Sequence, residues 1–301
     1  MNNMKQYILT ALLAMAAGMG MVSCSDDDPD GPNVFDGQPP LRDSLDTWLQ
    51  NNYTLPYNVD FKYKMEDIEA DHSYTLVPAD SAKSAKLAIV TKYMWFDAYA
   101  EAMGMDFVKS YSPRIIHLVG SRAYESNGTF VLGTAEGGLK VTLYMVNELT
   151  DDVLTSYATM TSYYFHTMHH EFTHILNQKR PYDTSFNQIT ESGYTSTSWY
   201  QTPDSTAHGK GFITPYAMSE GNEDFAEMTS VYITNTPEYW QSVLDEAQRI
   251  GGDEAVSALN QKLKIVRTYM QESWNCDIDY LRSVILRRGE EMSTLDLEKL
   301  K

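Results

Sequence analysis

The chain is poor in cysteine and in positive charge. Its 301 residues include two cysteines, Cys24 and Cys276, and 23 lysines and arginines against 41 aspartates and glutamates, which gives a formal net charge of −18. The sequence shows no basic cluster and no internal repeat. Because contacts to phosphate groups need clustered positive charge, this composition argues against nucleic acid as a partner and against direct binding to an anionic membrane surface.

The first 23 residues form a predicted export signal. Lys5 supplies the positive charge ahead of an apolar stretch at 8–22, which is too short and wrongly flanked to span a membrane. The stretch ends at Met21-Val22-Ser23-Cys24, which resembles the lipobox of bacterial lipoproteins. This resemblance implies a lipidated Cys24 that anchors the protein, and Cys276 then has no partner for a disulfide within the chain. The alternative is an ordinary secretory signal in which Cys24 has no role.

Residues 24–40 are predicted to be a flexible tether. They contain the acidic run Ser25-Asp26-Asp27-Asp28-Pro29-Asp30-Gly31-Pro32, which has no apolar surface to bury. The run also resembles the acidic export signal of surface lipoproteins of Bacteroidetes, and a plain spacer is the alternative.

The most informative segment is His170-Glu171-Phe172-Thr173-His174, an H-E-x-x-H motif. On a helix, residues four apart share a face, so His170 and His174 can present two imidazoles to one metal ion, with Glu171 placed as general base toward water. Helical spacing of apolar residues around the motif, and Pro181 after it, predict a helix that starts near Thr150 or Asp151. The motif therefore predicts one Zn²⁺ site; the alternative is two ordinary polar histidines on a half-exposed helix.

The third zinc ligand is predicted from the segment Asn222-Glu223-Asp224-Phe225-Ala226-Glu227. A histidine six residues after the motif is excluded, because Arg180 stands there. Glu223 and Glu227 are four apart and share a helical face, so we expect Glu223 to bind zinc and Glu227 to accept the N–H of a ligating histidine. Asp224 could take either role, a solvated acidic helix start is the plain alternative, and His208 is a further possible ligand. His166 and His169 are expected around the site or at the surface.

The chain from residue 41 onward is predicted to be α+β. Period-two patterns predict strands at 59–65, 114–118, 129–132 and 139–145, and period-3.6 patterns predict helices at 41–51 and 79–103. Segment 184–214 predicts loops, and helices follow at 223–231, from Pro237 to a break at Gly251-Gly252, at 254–274 and at 278–288. A small N-terminal sheet, an active-site helix and a mainly helical second half fit a zincin-like metallopeptidase fold, with an upper subdomain at 41–180 and a helical lower subdomain at 181–301.

Together, the H-E-x-x-H segment, Thr214-Pro215-Tyr216-Ala217 and Glu223-Asp224-Phe225-Ala226-Glu227 resemble a known family. It is the substrate import-associated zinc metallohydrolase lipoproteins of Bacteroidetes, grouped with zinc-binding metallopeptidases. The resemblance implies a gluzincin-like fold, metal positions at His170, His174 and Glu223, and a base at Glu171. It also implies an outer-membrane, cell-surface address beside a nutrient importer and its binding lipoprotein.

The expected activity is hydrolysis of an amide bond in a peptide or glycopeptide. Tyr216 is a candidate donor to the oxyanion, with a packed loop tyrosine as the alternative, and the strand at 139–145 is a candidate edge for pairing with an extended peptide. A different class of function stays open, namely a non-catalytic binding lipoprotein of an uptake complex. Glu171 separates the two, because a structural metal site has no use for a general base.

Overall fold

Four strands form the main sheet, in the order β1 (Asp60–Lys62), β2 (Ile115–Leu118), β6 (Lys140–Leu143) and β5 (Gly133–Glu136). The first three are parallel, and β5 runs antiparallel to β6. A separate antiparallel pair consists of β3 (Ala123–Tyr124) and β4 (Phe130–Val131). The structure is a computed structural model, and it describes residues 43–66, 68, 70–124, 130–131, 133–136 and 139–300. The predicted signal, Cys24 and the acidic tether lie outside the described residues.

Helices dominate the chain. The α-helices are Ser44–Leu49, Leu55–Tyr57, Ser81–Thr91, Asp97–Met103, Met105–Tyr111, Asp151–Leu154, Tyr157–Met160, His166–Lys179, Ser185–Gln188, Asp204–Gly209, Gly221–Thr234, Pro237–Trp274 and Ile278–Glu291. π-Helical turns occupy Gln50–Thr54, Lys92–Phe96 and Thr161–Phe165, and 3-10 turns occupy Val146–Glu148, Glu191–Gly193, Ser196–Gln201, Tyr216–Met218 and Met292–Thr294. The predicted α+β class is correct. Among the described residues, no helix combines the length and apolar character needed to cross a membrane.

The helix His166–Lys179, here called the motif helix, lies between the sheet and the helix Gly221–Thr234, here called the glutamate helix. Its buried face carries the predicted apolar stripe, including Phe172, whose ring packs edge-on against Trp95 at 5.2 Å between centroids. The helix ends at Lys179, and its C-cap residue Arg180 has an extended backbone conformation just before Pro181. The H-E-x-x-H segment is thus held between two packed layers.

Several local predictions need correction. Thr150 caps the separate short helix Asp151–Leu154, and Ser156 caps the turns that lead into the motif helix. Most of segment 184–214, predicted as loops, forms short α- and 3-10 helices, because polar residues with little periodicity still make single helical turns when they pack against larger elements. The predicted break is confirmed, since Gly252 is non-helical with φ 67° and ψ −159° inside Pro237–Trp274. The division at 180/181 stays a prediction.

The expectation about the sheet edge is wrong. The strand predicted at 139–145 is β6, which lies between β2 and β5 and pairs with both. The edge strand next to β6 is β5, and β1 lies at the opposite edge of the sheet. The β5 sequence Gly133-Thr134-Ala135-Glu136 has no apolar alternation, so it gave no signal for a strand. A Cβ on Gly133 would come within 3.1 Å of Cγ2 of Thr167, so this edge lies directly beside the motif helix.

A buried ion pair joins the glutamate helix to the long helix Pro237–Trp274. Nζ of Lys262 lies 2.5 Å from Oδ2 of Asp224, and both side chains are fully buried. Nζ also donates to the carbonyl of Gly211 at 2.9 Å and lies 3.9 Å from the ring centroid of Phe212. Tyr194 donates to the same carboxylate oxygen at 2.9 Å. These contacts fix the start of the glutamate helix.

We expect Lys262→Met to destabilise the protein by about 3–5 kcal/mol, because removing one partner leaves a buried carboxylate uncompensated. Guanidinium unfolding of the metal-free protein measures the loss. Lys264→Met, at an exposed position two residues on, is the control and should change stability by no more than about 0.5 kcal/mol. Equal unfolding midpoints for the two variants would contradict the structural role given to the pair.

Candidate metal centre

Three predicted ligand atoms converge on one point between the motif helix and the glutamate helix. Nε2 of His170 lies 2.8 Å from Oε2 of Glu223 and 3.0 Å from Nε2 of His174. Nε2 of His174 lies 3.3 Å from the same oxygen of Glu223. The structure therefore brings His170, His174 and Glu223 together as one group that could hold a metal ion.

Glu227 forms the second half of the centre. Its Oε1 lies 2.8 Å from Nδ1 of His170 and 2.7 Å from Nε2 of His166, and its Oε2 accepts the hydroxyl of Thr214 at 2.6 Å. His170 thus contacts a carboxylate through each of its ring nitrogens. His166, His170 and Glu227 form a second group of atoms close enough to hold a metal ion.

The charges in the centre stabilise one another. Burial lowers the pKa of His170, but hydrogen bonds with Glu223 and Glu227 outweigh burial and raise this pKa to about 10. Burial raises the pKa of both glutamates, and their histidine partners outweigh it, so that both pKa values fall well below the usual range. Burial raises the pKa of Glu171, although His170 and His174 oppose the increase. A carboxylate with a raised pKa suits a general base near neutral pH.

The donor set fits a zinc ion. When Nδ1 of His170 donates to Glu227, its Nε2 points a lone pair toward Glu223 and His174. Three electron-rich atoms this close repel one another unless a proton or a metal cation lies among them. Two imidazole nitrogens and one carboxylate oxygen are a donor set that catalytic zinc takes, with one position left open.

A cavity of about 530 Å³ opens beside these groups. Phe130, Val131 and Gly133 line one side, and Trp199, Tyr200 and Tyr216 line the other. His166, His170, Glu171 and Glu227 also line it. His174 and Glu223 are not among its lining residues, although their side chains are 21% and 19% exposed. The volume falls within the range of about 300–1,000 Å³ that is usual for small-molecule sites.

Tyr216 lies at the centre, as the predicted role requires. Its ring is 5.7 Å from the ring of His170 and 4.9 Å from that of Trp199, measured between centroids. Burial, the charge of Glu223 and a hydrogen bond to Glu223 raise the pKa of Tyr216 well above its usual range. The hydroxyl therefore keeps its proton at neutral pH and can act as a donor.

The other predicted candidates lie elsewhere. Asp224 is bound by Lys262 and Tyr194 on the far side of the glutamate helix. His208 pairs with Glu246 and with the carbonyl of Ile213. His169 is buried against the hydroxyl of Tyr99 at 3.0 Å, and burial lowers its pKa to about 3.

Sequence reasoning left His166 either around the site or at the surface, and it gave no role at the centre to Thr214, Trp199 or Tyr200. His166 carried a usable signal, because it stands one helical turn before His170 and hence on the same face of the motif helix. Trp199 and Tyr200 carried none, since they lie in a Ser/Thr-rich segment without periodicity and reach the cavity only through the tertiary fold.

The fold therefore places the H-E-x-x-H segment on a helix beside a candidate metal site. A family profile described as "Putative zinc-binding metallo-peptidase" matches residues 39–279, and the chain belongs to this family. A crystal structure from Bacteroides caccae ATCC 43185, titled as a putative zinc-binding metallo-peptidase, is similar to it. The two share 44% identity at a TM-score of 0.74, over 86% of this chain and 96% of that one. The comparison with curated proteins finds no match.

Proposed function

We propose that this chain is a zinc-dependent, gluzincin-like peptidase of zincin-like fold that hydrolyses amide bonds in peptides or glycopeptides. His170, His174 and Glu223 hold one Zn²⁺, Glu171 is the general base, Tyr216 stabilises the oxyanion, and Glu227 orients His170. The observation that carries the proposal is the convergence of three ligand atoms within 3.3 Å of one another, next to Glu171, at an open cavity. Membership of a family named for zinc binding and peptidase activity supports it.

The residues divide the chemistry among them. Zinc held at this centre supplies a Lewis acid and lowers the pKa of water to about 7. Glu171, half-enclosed beside His170, accepts a proton from the attacking water and returns it to the leaving nitrogen. Tyr216 donates its hydroxyl proton in a hydrogen bond to the oxygen that gains negative charge.

Two features favour Glu223 over Glu227 as the ligand. Glu227 already accepts three hydrogen bonds, from His166, His170 and Thr214. It is also nearly fully buried, with a side chain 3% exposed against 19% for Glu223. A catalytic metal needs an open position toward substrate, and the more exposed of the two carboxylates, that of Glu223, suits this need better.

The corrected sheet order changes where an extended substrate would pair. Strand β5 is the edge strand beside the motif helix in the described sheet, so we assign backbone pairing to β5 rather than to β6. Addition of an extended peptide to a sheet edge supplies main-chain hydrogen bonds that do not depend on side chains. This support suits an enzyme that recognises a peptide backbone.

The N-terminal segment extends the proposal to a location and to partners. A lipidated Cys24, followed by the acidic run, would hold the enzyme at the outer membrane and expose it at the cell surface. Its partners would be a nutrient importer and the binding lipoprotein of that importer, as the family resemblance implies. The metal centre would then act on peptides on their way to uptake.

The ligand set can be tested with a matched pair of variants. His174→Ala and His166→Ala each remove an imidazole four residues from His170 on the same helix face. We expect dialysed wild-type protein and His166→Ala to keep about one zinc per chain, and His174→Ala and Glu223→Ala to lose it, as measured by atomic emission. Glu227→Ala should weaken zinc binding by about 10–100-fold. Retention in His174→Ala with loss in His166→Ala would assign the metal to the second group.

The mechanism predicts two graded losses at constant zinc content. Glu171→Gln should abolish measurable turnover, a loss of at least about 10³-fold in kcat, because no other group takes the proton. Tyr216→Phe should lower kcat by about 10²-fold through loss of one oxyanion donor. Mass spectrometry of products from an end-blocked peptide mixture measures both. Full activity in Glu171→Gln would refute the mechanism, and unchanged turnover in Tyr216→Phe would remove that residue from it. A wild type that holds zinc but cleaves nothing would favour the binding-lipoprotein alternative.

Lipidation predicts that the full chain incorporates labelled palmitate when it is expressed in a bacterium that processes lipoproteins. Cys24→Ala should abolish the label, because the acyl chains attach through that residue. Cys276→Ala, which alters the other cysteine, should keep it. An unlabelled wild type would support the ordinary secretory signal instead.

A further inference from the structure

A second cavity of about 420 Å³ adjoins the first. The two cavities share one lining residue, His166. The wall of the second cavity comes from the turns before the motif helix, from Thr214, and from the end of the glutamate helix and the start of the long helix. Among its lining residues are Ala158, Ser162, Asn235 and Tyr239. The two cavities therefore meet at His166, beside the candidate metal centre.

His166 is a fixed wall between the two cavities. Its Nε2 is held at 2.7 Å by Oε1 of Glu227, the same oxygen that orients His170. Glu227 is in turn held by Thr214, which also lines the second cavity. A group bound in the second cavity thus lies against His166 and Thr214, the residues that hold Glu227, whereas Trp199 and Tyr200 line only the first cavity among the described residues.

The one imidazole among the described residues that line the second cavity, that of His166, is already bound by Glu227. Among the described residues that line this cavity, none is Asp, Glu, Lys or Arg. Its main polar groups are already paired within the protein, because Tyr157 donates to the carbonyl of Thr234 at 2.8 Å and Asn235 donates to the carbonyl of Val231 at 2.9 Å. The rest of the described lining is uncharged and consists of alanine, valine and tyrosine surface together with serine and threonine hydroxyls. A charged group placed there would lose hydration without gaining a partner.

We propose that the second cavity is a substrate subsite for an uncharged side chain, so that a peptide crosses the metal centre with residues bound on both sides. The inference rests on the proposed function and deepens it. A substrate bound on both sides is cut inside its sequence. This agrees with the catalytic cavity, where no described lining residue is a lysine or arginine that could hold a terminal carboxylate.

The test uses a change of charge at the cavity wall. Ala158 is exposed on a helical turn, so Ala158→Lys places an ammonium group at the second cavity without disturbing the core. Gln241→Lys adds the same charge on the exposed side of the long helix, outside both cavities, and is the control. Each full-length protein is given peptides blocked at both ends, which carry Leu, Glu or Lys at one position at a time. The ratio of kcat/KM values within one preparation cancels differences in folding.

We expect the wild type to cleave these blocked peptides and to prefer Leu over Glu and Lys at one position by at least about tenfold. Ala158→Lys should raise kcat/KM for Glu relative to Leu at that position by about tenfold, and Gln241→Lys should leave the ratio unchanged. If Ala158→Lys cleaves with the wild-type preference at every position, the cavity is not a subsite, and the proposed function stands. If zinc-loaded wild type cleaves no peptide, the proposed function falls, and the subsite falls with it.

Discussion

The buried carboxylate of Glu227 is the contact on which the rest of the metal centre depends. An ionised carboxylate with a side chain 3% exposed is costly unless hydrogen-bond donors surround it, and here three do. Those donors come from His166 and His170 on the motif helix and from Thr214 on the loop that leads to Tyr216. Because one carboxylate joins all three, the tautomer of His170 and the position of the tyrosine loop are set together. Substitution of any one of these donors should therefore alter the hydrogen bonds that the other two donate to Glu227.

The glutamate helix serves two structures with adjacent residues. Glu223 faces the motif helix, and Asp224, the next residue, faces the long helix and meets Lys262. Burial raises the pKa of Asp224 to about 6 and lowers the pKa of Lys262, and the contact between the two side chains opposes both shifts. The helix is thereby held from both sides at the turn that carries Glu223. The proposed ligand Glu223 therefore lies on an anchored turn, as a preorganised site requires.

The predictable parts of this protein are those whose signal is periodic and local. The motif helix followed from its apolar stripe, and the kink in the long helix followed from Gly251-Gly252, because glycine adopts the positive φ seen at Gly252. Placing Glu223 and Glu227 on one face required only their four-residue spacing. Strand β5 escaped prediction because its small residues do not alternate, and its pairing depends on β6 and on contact with Thr167. Trp199 and Tyr200 escaped because only the folded chain brings them to the cavity.

This division between local and tertiary signals corresponds to a division of labour. The side chains to which we assign the chemistry lie on the motif helix and on the glutamate helix, and packing on several sides fixes both helices. The motif helix carries His170, Glu171 and His174, and the glutamate helix carries Glu223 and Glu227. The groups that shape the cavity sit on a short 3-10 turn and on the β3–β4 pair, which contribute Trp199, Tyr200 and Phe130. Loop-borne walls can change without moving helix-borne ligands. Relatives that share the metal centre should therefore differ first in these walls, and identity at the centre does not transfer a substrate from one relative to another.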